Sequence, residues 1–293
     1  MIKMDRPTLI LLCGIPGSGK TTYAEKYIRT YPGTVHISSD NIRKELWGNE
    51  ATQGDNNEVF ALMQTRTINA LNFGDNVVYD ATDLTRKDRA YIISQCPKFA
   101  KIECHIIWAP IETCIERDAA RKRTVGKEII DKMLKRFQTP YYDEGIDYIE
   151  VIRPVQFDSG IYEMMLVDEM KIPHDNPHHT LSIYDHCQEA YHYTLKATRD
   201  FELQWAAWLH DIGKPAVKAF VDTKGNPCDI AHYYYHNNYG AWMSYGIRNT
   251  TPFVAWLICN HMEPFFNSKY YNNLPVYLKQ KIDLLHEADR AAH

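Results

Sequence analysis

Eight consecutive residues, Gly14-Ile-Pro-Gly-Ser-Gly-Lys-Thr21, combine three glycines with a lysine and a hydroxyl. Glycines let backbone N–H groups turn inward around phosphate oxygens, Lys20 can reach the terminal phosphates, and the Thr21 hydroxyl can ligate Mg²⁺. That chemistry requires a strand leading into the loop and a helix leaving it, whose N-terminus adds its dipole. Thr8–Cys13 reads as a buried strand and 22–30 as a helix, so the requirement is met. Gly14, Gly17, Ser18, Gly19, Lys20, Thr21 and Thr22 are therefore expected to hold ATP with Mg²⁺.

Further groups follow at strand ends, where open α/β sheets bind ligands. Strand 34–38 runs into Ser39-Asp40-Asn41-Ile42-Arg43. There Asp40 could take the proton of an attacking hydroxyl while Arg43 grips an anionic acceptor. A helix N-cap at Ser39 or Asp40 with a surface Arg43 accounts for the same spacing. Strand 76–79 ends in Asp80-Ala81-Thr82-Asp83, which puts Asp80 where a carboxylate supports Mg²⁺ through water. Capping of the following helix, by Asp83, is the alternative. Strand 102–108 leads into a helix over 111–122 with Arg117 and Arg121 one turn apart and Arg123 beside them. Arg117 and Arg121 can close over the triphosphate and offset charge developing during transfer. Arg123 reads as part of a solvated basic face.

Histidine is distributed unevenly: His36 and His105 are the only two before residue 158, and eleven follow. His186 lies in an apolar helical pattern from near Leu181. His210-Asp211 ends the run 205–209, followed by Gly213 and Pro215. His236 opens His-Asn-Asn-Tyr-Gly-Ala, His261 follows the apolar run 254–259, and Asp289 stands in Glu-Ala-Asp-Arg. Each reads as occupying its own helix or helix end, facing inward. Imidazole and carboxylate donors converging from several helices suit Mn²⁺, Fe²⁺, Co²⁺, Ni²⁺ or Zn²⁺ rather than a thiolate zinc site. Any one of these histidines alone would read as a hydrogen-bonded core residue. His178 and His179 are candidates for support or phosphate binding, and His192, His232 and His286 read as structural or exposed.

The elements that must position these groups fit two domains: 1–157, a connector over 158–175, and 176–293. A chain of 293 residues with 45% hydrophobic and 24% charged residues has enough apolar surface for two cores. The net charge of −4 leaves nucleic-acid contacts to local patches. Those belong to the first half, since 1–157 has 22 basic against 21 acidic residues and 158–293 has 11 against 16. No apolar run approaches the ~20 residues of a membrane span, and Met1–Pro7 lacks a secretory layout. A cytoplasmic location without membrane contact is expected. The seven scattered cysteines form no CxxC and read as reduced.

The first half resembles bacteriophage-type 5′-polynucleotide kinases. The matching elements are Gly14–Thr22, Asp40 with Arg43, Asp80-Ala81-Thr82, and the lid from Glu116-Arg117 through Arg121 to Phe137-Gln138-Thr139-Pro140. The resemblance implies that Asp40 activates the 5′-hydroxyl, Arg43 holds the acceptor's neighbouring phosphate and Arg121 contacts the donor phosphates. Asp83 departs from it, because these kinases often carry asparagine there. Over 176–293 the chain resembles the HD phosphohydrolase superfamily: His186, His210, Asp211 and Asp289 match its H…HD…D pattern, and His236 and His261 match the extra histidines of two-metal members. That implies that Asp211 bridges two divalent metals and that Lys214 binds substrate phosphate, although a lysine at a helix C-terminus would serve the dipole equally. Catalytic roles are thus expected of Lys20, Asp40, Arg43, Arg121, Asp211 and Lys214.

The combined resemblance implies an α/β P-loop kinase domain, with a parallel sheet flanked by helices, followed by an all-α HD domain. It is similar to bifunctional RNA end-healing enzymes, in which a 5′-OH kinase accompanies a 2′,3′-phosphatase or cyclic phosphodiesterase. Broken RNA or DNA ends would be the substrates and a separate ligase a candidate partner. Two other readings stay open: a small-molecule or nucleotide kinase fused to an HD nucleotidase, and an ATP-gated HD hydrolase of signalling nucleotides.

Overall fold

Strands that are apolar on both faces and alternate with helices can be covered only as a parallel sheet with helices packed on it. The computed structural model describes residues 6–49, 54–121, 123–177 and 180–292; Lys122, His178 and His179 lie outside them. It divides into two units, Met1–Met133 with Pro140–Pro154, and Leu134–Thr139 with Val155–His293. The first runs β1 (Thr8–Cys13), α1 (Lys20–Thr30), β2 (Val35–Ser38), α2 (Ser39–Trp47), α3 (Asn56–Phe73), β3 (Val77–Asp80), α4 (Arg86–Ile93), β4 (Lys101–Ile107), α5 (Ile111–Ala119), α6 (Lys127–Leu134) and β5 (Tyr148–Ile152). Its five strands are parallel, in the order β2-β3-β1-β4-β5. Leu9–Cys13 of the central β1 are wholly buried, and Leu11 stands between Tyr79 and Cys104. Ser38 pairs in register with Asp80, so the segments after β1, β2 and β3 all leave from one edge of the sheet.

Local chemistry moves two expected boundaries. The helix expected over 111–122 ends at Ala119 because the buried Asp118 carboxylate accepts from the Val125 and Gly126 N–H groups at 3.0 and 2.9 Å, folding the chain back. Arg121 therefore stands beyond the helix rather than on its face. The cap of α2 is Ser38, whose Oγ accepts from Asn41 N, so neither Ser39 nor Asp40 is used for capping. Asp83 is no cap either, since Thr85 and Asp88 form a capping box for α4.

The second unit contains α7 (Ser159–Glu169), α8 (Ile183–Ala197), α9 (Phe201–Leu209), α10 (Lys214–Val217), β6 (Ala219–Val221), β7 (Pro227–His232), α11 (His236–Ser244), α12 (Pro252–Asn260), α13 (Glu263–Phe266), α14 (Lys269–Asn272) and α15 (Val276–Ala291). An antiparallel hairpin, β6–β7, interrupts this helical order. Residues Val254–Asn260 are buried all round the helix, and α12 accordingly packs between α9 and α11. α8 packs on α9 and α15. Residues 134–139 pack in this unit, and with them Phe137, Gln138 and Thr139 of the turn read from the sequence as the end of the lid: Phe137 is fully buried with its ring 5.3 Å from Trp242, and its carbonyl accepts from Asn238 Nδ2 at 2.6 Å. Among the described residues no helix is long and apolar enough to cross a membrane, and the cysteines are free thiols.

Candidate functional site

The loop after β1 can be built only with its glycines. Gly17 and Gly19 have φ of 81° and 107°, and a Cβ on Gly17 would lie 2.1 Å from the Cys114 carbonyl oxygen. Gly14 N donates to Thr82 O at 3.2 Å, tying the loop to the turn after β3. Lys20 Nζ donates to the Gly14 and Ile15 carbonyls at 2.8 and 3.1 Å; burial lowers its pKa, against the opposing charge of Asp80. The buried Ser18 Oγ makes no hydrogen bond, and Thr21 and Thr22 are exposed in the first turn of α1. An orphaned hydroxyl, a lysine and left-handed glycines before a helix fit a bound triphosphate. Asp80 is buried beside them, with His36 Nε2 3.2 Å from its Oδ2.

Asp40 is exposed, at 54%, in the first turn of α2. Arg43 lies 3.7 Å from its Oδ1 and donates to Asn56 Oδ1 at 2.7 Å, leaving a buried Nε without a hydrogen bond. Burial lowers the pKa of Arg43, with Asp40 opposing. Arg123 was expected on a solvated face; because α5 ends early, it instead turns to Asp40, 3.4 Å from Oδ1. Arg117 is exposed, and Arg121 is close enough to Lys20 to lower its pKa. Asp83 is buried with φ 41°, and its Oδ2 makes no hydrogen bond. Burial pushes its pKa up to about 8, so at neutral pH it carries no charge, like the asparagine it replaces in the resemblance.

In the second unit the six expected ligands come together from five helices. Gly213 makes this possible, since a Cβ there would meet His236 O at 2.1 Å and Gly240 N at 2.5 Å, so α11 can approach the His210-Asp211 turn. His186 Nε2 lies 3.2 Å from His210 Nε2 and 3.0 Å from Asp289 Oδ1, while Asp211 Oδ2 is 3.5 and 3.4 Å from the two histidines. On the other side of the same carboxylate, Asp211 Oδ1 is 3.3 Å from His236 Nε2 and 4.0 Å from His261 Nε2, which are 3.1 Å apart. Two groups of ligand atoms thus share Asp211.

The tautomers carry the metal argument. His186, His210, His236 and His261 each donate Nδ1–H to a backbone carbonyl, of Ala292, Ala207, Tyr233 and Ile258, at 2.7 to 2.8 Å. Their Nε2 lone pairs therefore face one another, an arrangement that a cation stabilises and a hydrogen bond between two neutral rings does not. Separations of 3.0 to 3.5 Å between donors suit ligands about 2.0–2.2 Å from a metal. The histidines of the cage differ: burial, then His236 and His210, push His261 down to about 3, whereas, against burial, Asp211 holds His210 well above the ordinary histidine value. Asp211 Oδ2 is buried without a well-formed hydrogen bond, although Lys214 Nζ is 2.5 Å away.

Residues 9–140 match the family model described as an AAA domain, and residues 183–290 match that of the HD domain. The chain joins a P-loop kinase domain of AAA type to an HD domain. It is an enzyme. The sequence matches none of the curated proteins. A solved structure of the Pnkp1/Rnl/Hen1 RNA repair complex aligns at 24% identity over 44% of this chain and 43% of that one, with TM-score 0.41. A gluconokinase from Sinorhizobium meliloti 1021 aligns at 21% over 52% and 85%, TM-score 0.37, and a fungal RNA kinase at 12% over 55% and 43%, TM-score 0.39. The chain spans less than half the length of the RNA repair protein and of the fungal RNA kinase.

Several residues of the HD domain escaped the sequence reading. His174 donates Nδ1–H to Leu181 O at 2.9 Å, so its Nε2 accepts from Lys214 Nζ at 3.2 Å. Burial, then Lys214, push His174 down to about 4, keeping it neutral. Lys214 opens α10, so the alternative of a lysine serving a helix C-terminus does not apply; it is buried between Asp211 and His174, 5.4 Å from the Tyr233 ring centre. A cavity of about 670 Å³ opens on Asp211, Lys214, His236 and Asp289, and Lys135 and Gln138 also line it. The only signal for His174 was its place among the late histidines; Gln138 was read in the lid turn of the first half rather than beside the HD ligands, and for Lys135 there was no signal, because it lies far upstream of them. His178 and His179 lie outside the described residues.

Proposed function

We propose that the protein heals broken polynucleotide ends, RNA foremost, by phosphorylating a 5′-hydroxyl and removing a 2′- or 3′-phosphate, including opening of the 2′,3′-cyclic ester. The observation that carries this reading is the exposed Asp40 carboxylate, with the largely buried Arg43 beside it, just after strand β2. An acceptor carboxylate open to solvent admits the end of a strand, whereas a small-metabolite kinase would enclose its acceptor. Asp40 takes the proton of the 5′-hydroxyl, whose oxygen displaces ADP from the γ-phosphorus of ATP; Arg43 grips the acceptor's adjacent phosphate. Lys20 and Arg121 offset charge on the transferred group, and Thr21, with Asp80 through water, would hold Mg²⁺.

A kinase and a phosphatase acting on the same end would oppose each other, so a fusion is productive when each takes a different end. In the HD domain, His186, His210, Asp211 and Asp289 would hold one divalent metal, and Asp211, His236 and His261 a second. Such metals supply Lewis acidity and lower the pKa of water. Lys214 offers its ammonium to the substrate phosphate, and His174 keeps it aimed there.

The test gives the protein γ-labelled ATP, Mg²⁺ or Mn²⁺, and RNA and DNA strands bearing 5′-OH and 3′-phosphate or 2′,3′-cyclic phosphate ends. Label is expected at the 5′ end and a free diol at the 3′ end of RNA. Label entering a sugar but never a strand would overturn the kinase assignment, and untouched 3′ ends would overturn the other.

A further inference from the structure

The HD cavity, at about 670 Å³, is the size of a small-molecule site. Two of its wall residues, Tyr235 and Phe266, are 52% and 64% exposed. Tyr235 also has φ 67°, in the left-handed region that a bulky residue seldom occupies. The turn needs that conformation: Tyr235 precedes α11, and the next residue is the ligand His236, whose Nδ1 reaches back to Tyr233 O. Glycine would meet the need without strain. The chain instead keeps a half-exposed tyrosine that lines the same cavity as the ligands Asp211, His236 and Asp289. The amides of the same wall are already engaged, since Asn237, Asn238 and Asn260 donate to the backbone carbonyls of Cys259, Phe137 and Trp256. Besides the cations Lys135 and Lys214, ring faces are what this wall presents to a ligand.

Resting on the reading of this domain as a phosphohydrolase of polynucleotide ends, we propose that Tyr235 and Phe266 stack the nucleobase of the nucleotide whose phosphate reaches the cage. Every base has a π face, so the site accepts all four bases and prefers nucleoside phosphates to base-free phosphate esters.

The test uses the full chain with Mn²⁺. It compares hydrolysis of the four nucleoside 3′-monophosphates and of glycerol 2-phosphate by wild type, Tyr235→Phe, Tyr235→Gly and Phe266→Ala, with thermal midpoints and calorimetric nucleotide binding. Tyr235→Gly and Phe266→Ala are expected to raise KM for the nucleotides about tenfold or more and to shrink the preference over glycerol 2-phosphate by the same factor. Tyr235→Phe keeps the ring and stays near wild type. Tyr235→Gly relieves the left-handed strain, so its midpoint holds or rises; a merely structural tyrosine would lower it. The four bases should differ by less than about tenfold. Unchanged nucleotide KM in both ring-deleting variants, or equal losses on the base-free ester, would overturn the stacking role. If wild type hydrolysed no ester yet bound nucleotides through Tyr235, the phosphohydrolase reading would fail and stacking would stand.

Discussion

The kinase site takes its phosphate-binding groups from one contiguous stretch, Gly14–Thr22, whereas the HD cage joins His186 to Asp289 across 103 positions. The first is assembled by local backbone geometry around an open sheet edge, and Asp40, the carboxylate proposed to activate the acceptor, is exposed. The second exists only when several helices pack, and almost every ligand is buried. A contiguous site tolerates disturbance elsewhere in its domain; a dispersed one depends on core packing that lies far from it.

Single-site knockouts are the harshest test of this contrast. Asp211→Ala removes the carboxylate shared by both ligand groups, so metal content measured by elemental analysis and phosphoester hydrolysis should both fall to background while kinase activity persists. Asp40→Ala should lower 5′-phosphorylation about 10²–10⁴-fold, the range of a lost general base, and leave bound metal unchanged. Loss of both activities in either variant would show that the two sites are coupled.

Phe137→Ala addresses where the boundary between the regions lies. Phe137 falls within the residues matched to the kinase family, yet its ring packs in the HD core against Trp242 and Tyr245. Truncation should destabilise the HD domain by about 3–5 kcal/mol, seen as lower chemical-denaturation stability and lost metal retention. Selective unfolding of the kinase domain would contradict that placement.

His174→Ala keeps all six ligands but removes one of the two partners of Lys214, leaving Asp211. Hydrolysis should drop about 10–100-fold with metal content retained, as for other outer partners of metal sites. His174→Gln, which can still accept from Lys214, should recover part of the rate. A wholly unaffected rate would reduce His174 to a packing role.

The mildest effect belongs to the kinase domain. Burial raises Asp83 to about 8 from about 3.9 in an unfolded chain, so the folded state binds its proton more tightly. That contribution to stability is complete below about pH 4 and is lost as pH rises towards 8. Asp83→Asn has no such proton to lose. Its midpoint should therefore gain on wild type with rising pH, by about 2–4 °C for each kcal/mol. Parallel pH profiles would show that Asp83 is ionised in the folded protein.

Much of both sites was legible in the chain itself. The P-loop, Asp40 with Arg43, and Asp80 follow from residue type at strand ends, because a strand's end fixes where the next few residues must emerge. The six candidate HD ligands followed from their places on helices or helix ends and from the family pattern. Arg123 was misread because the buried carboxylate of Asp118, which ends α5, acts through backbone groups seven and eight residues away. His174 and Phe137 gave no local signal, since their partners Lys214 and Trp242 lie 40 and about 100 residues downstream.

By itself, then, the sequence determined which groups are available for chemistry and which elements carry them. Short-range preferences, turn glycines and helix periodicity act within a few residues and can be read directly. Only the tertiary structure decided that one carboxylate, Asp211, presents Oδ1 to one pair of histidines and Oδ2 to another, and that Tyr235 lines the cavity they face. Those facts depend on how helices distant in the chain pack. Packing is settled by the sum of many buried contacts, which no local spacing encodes.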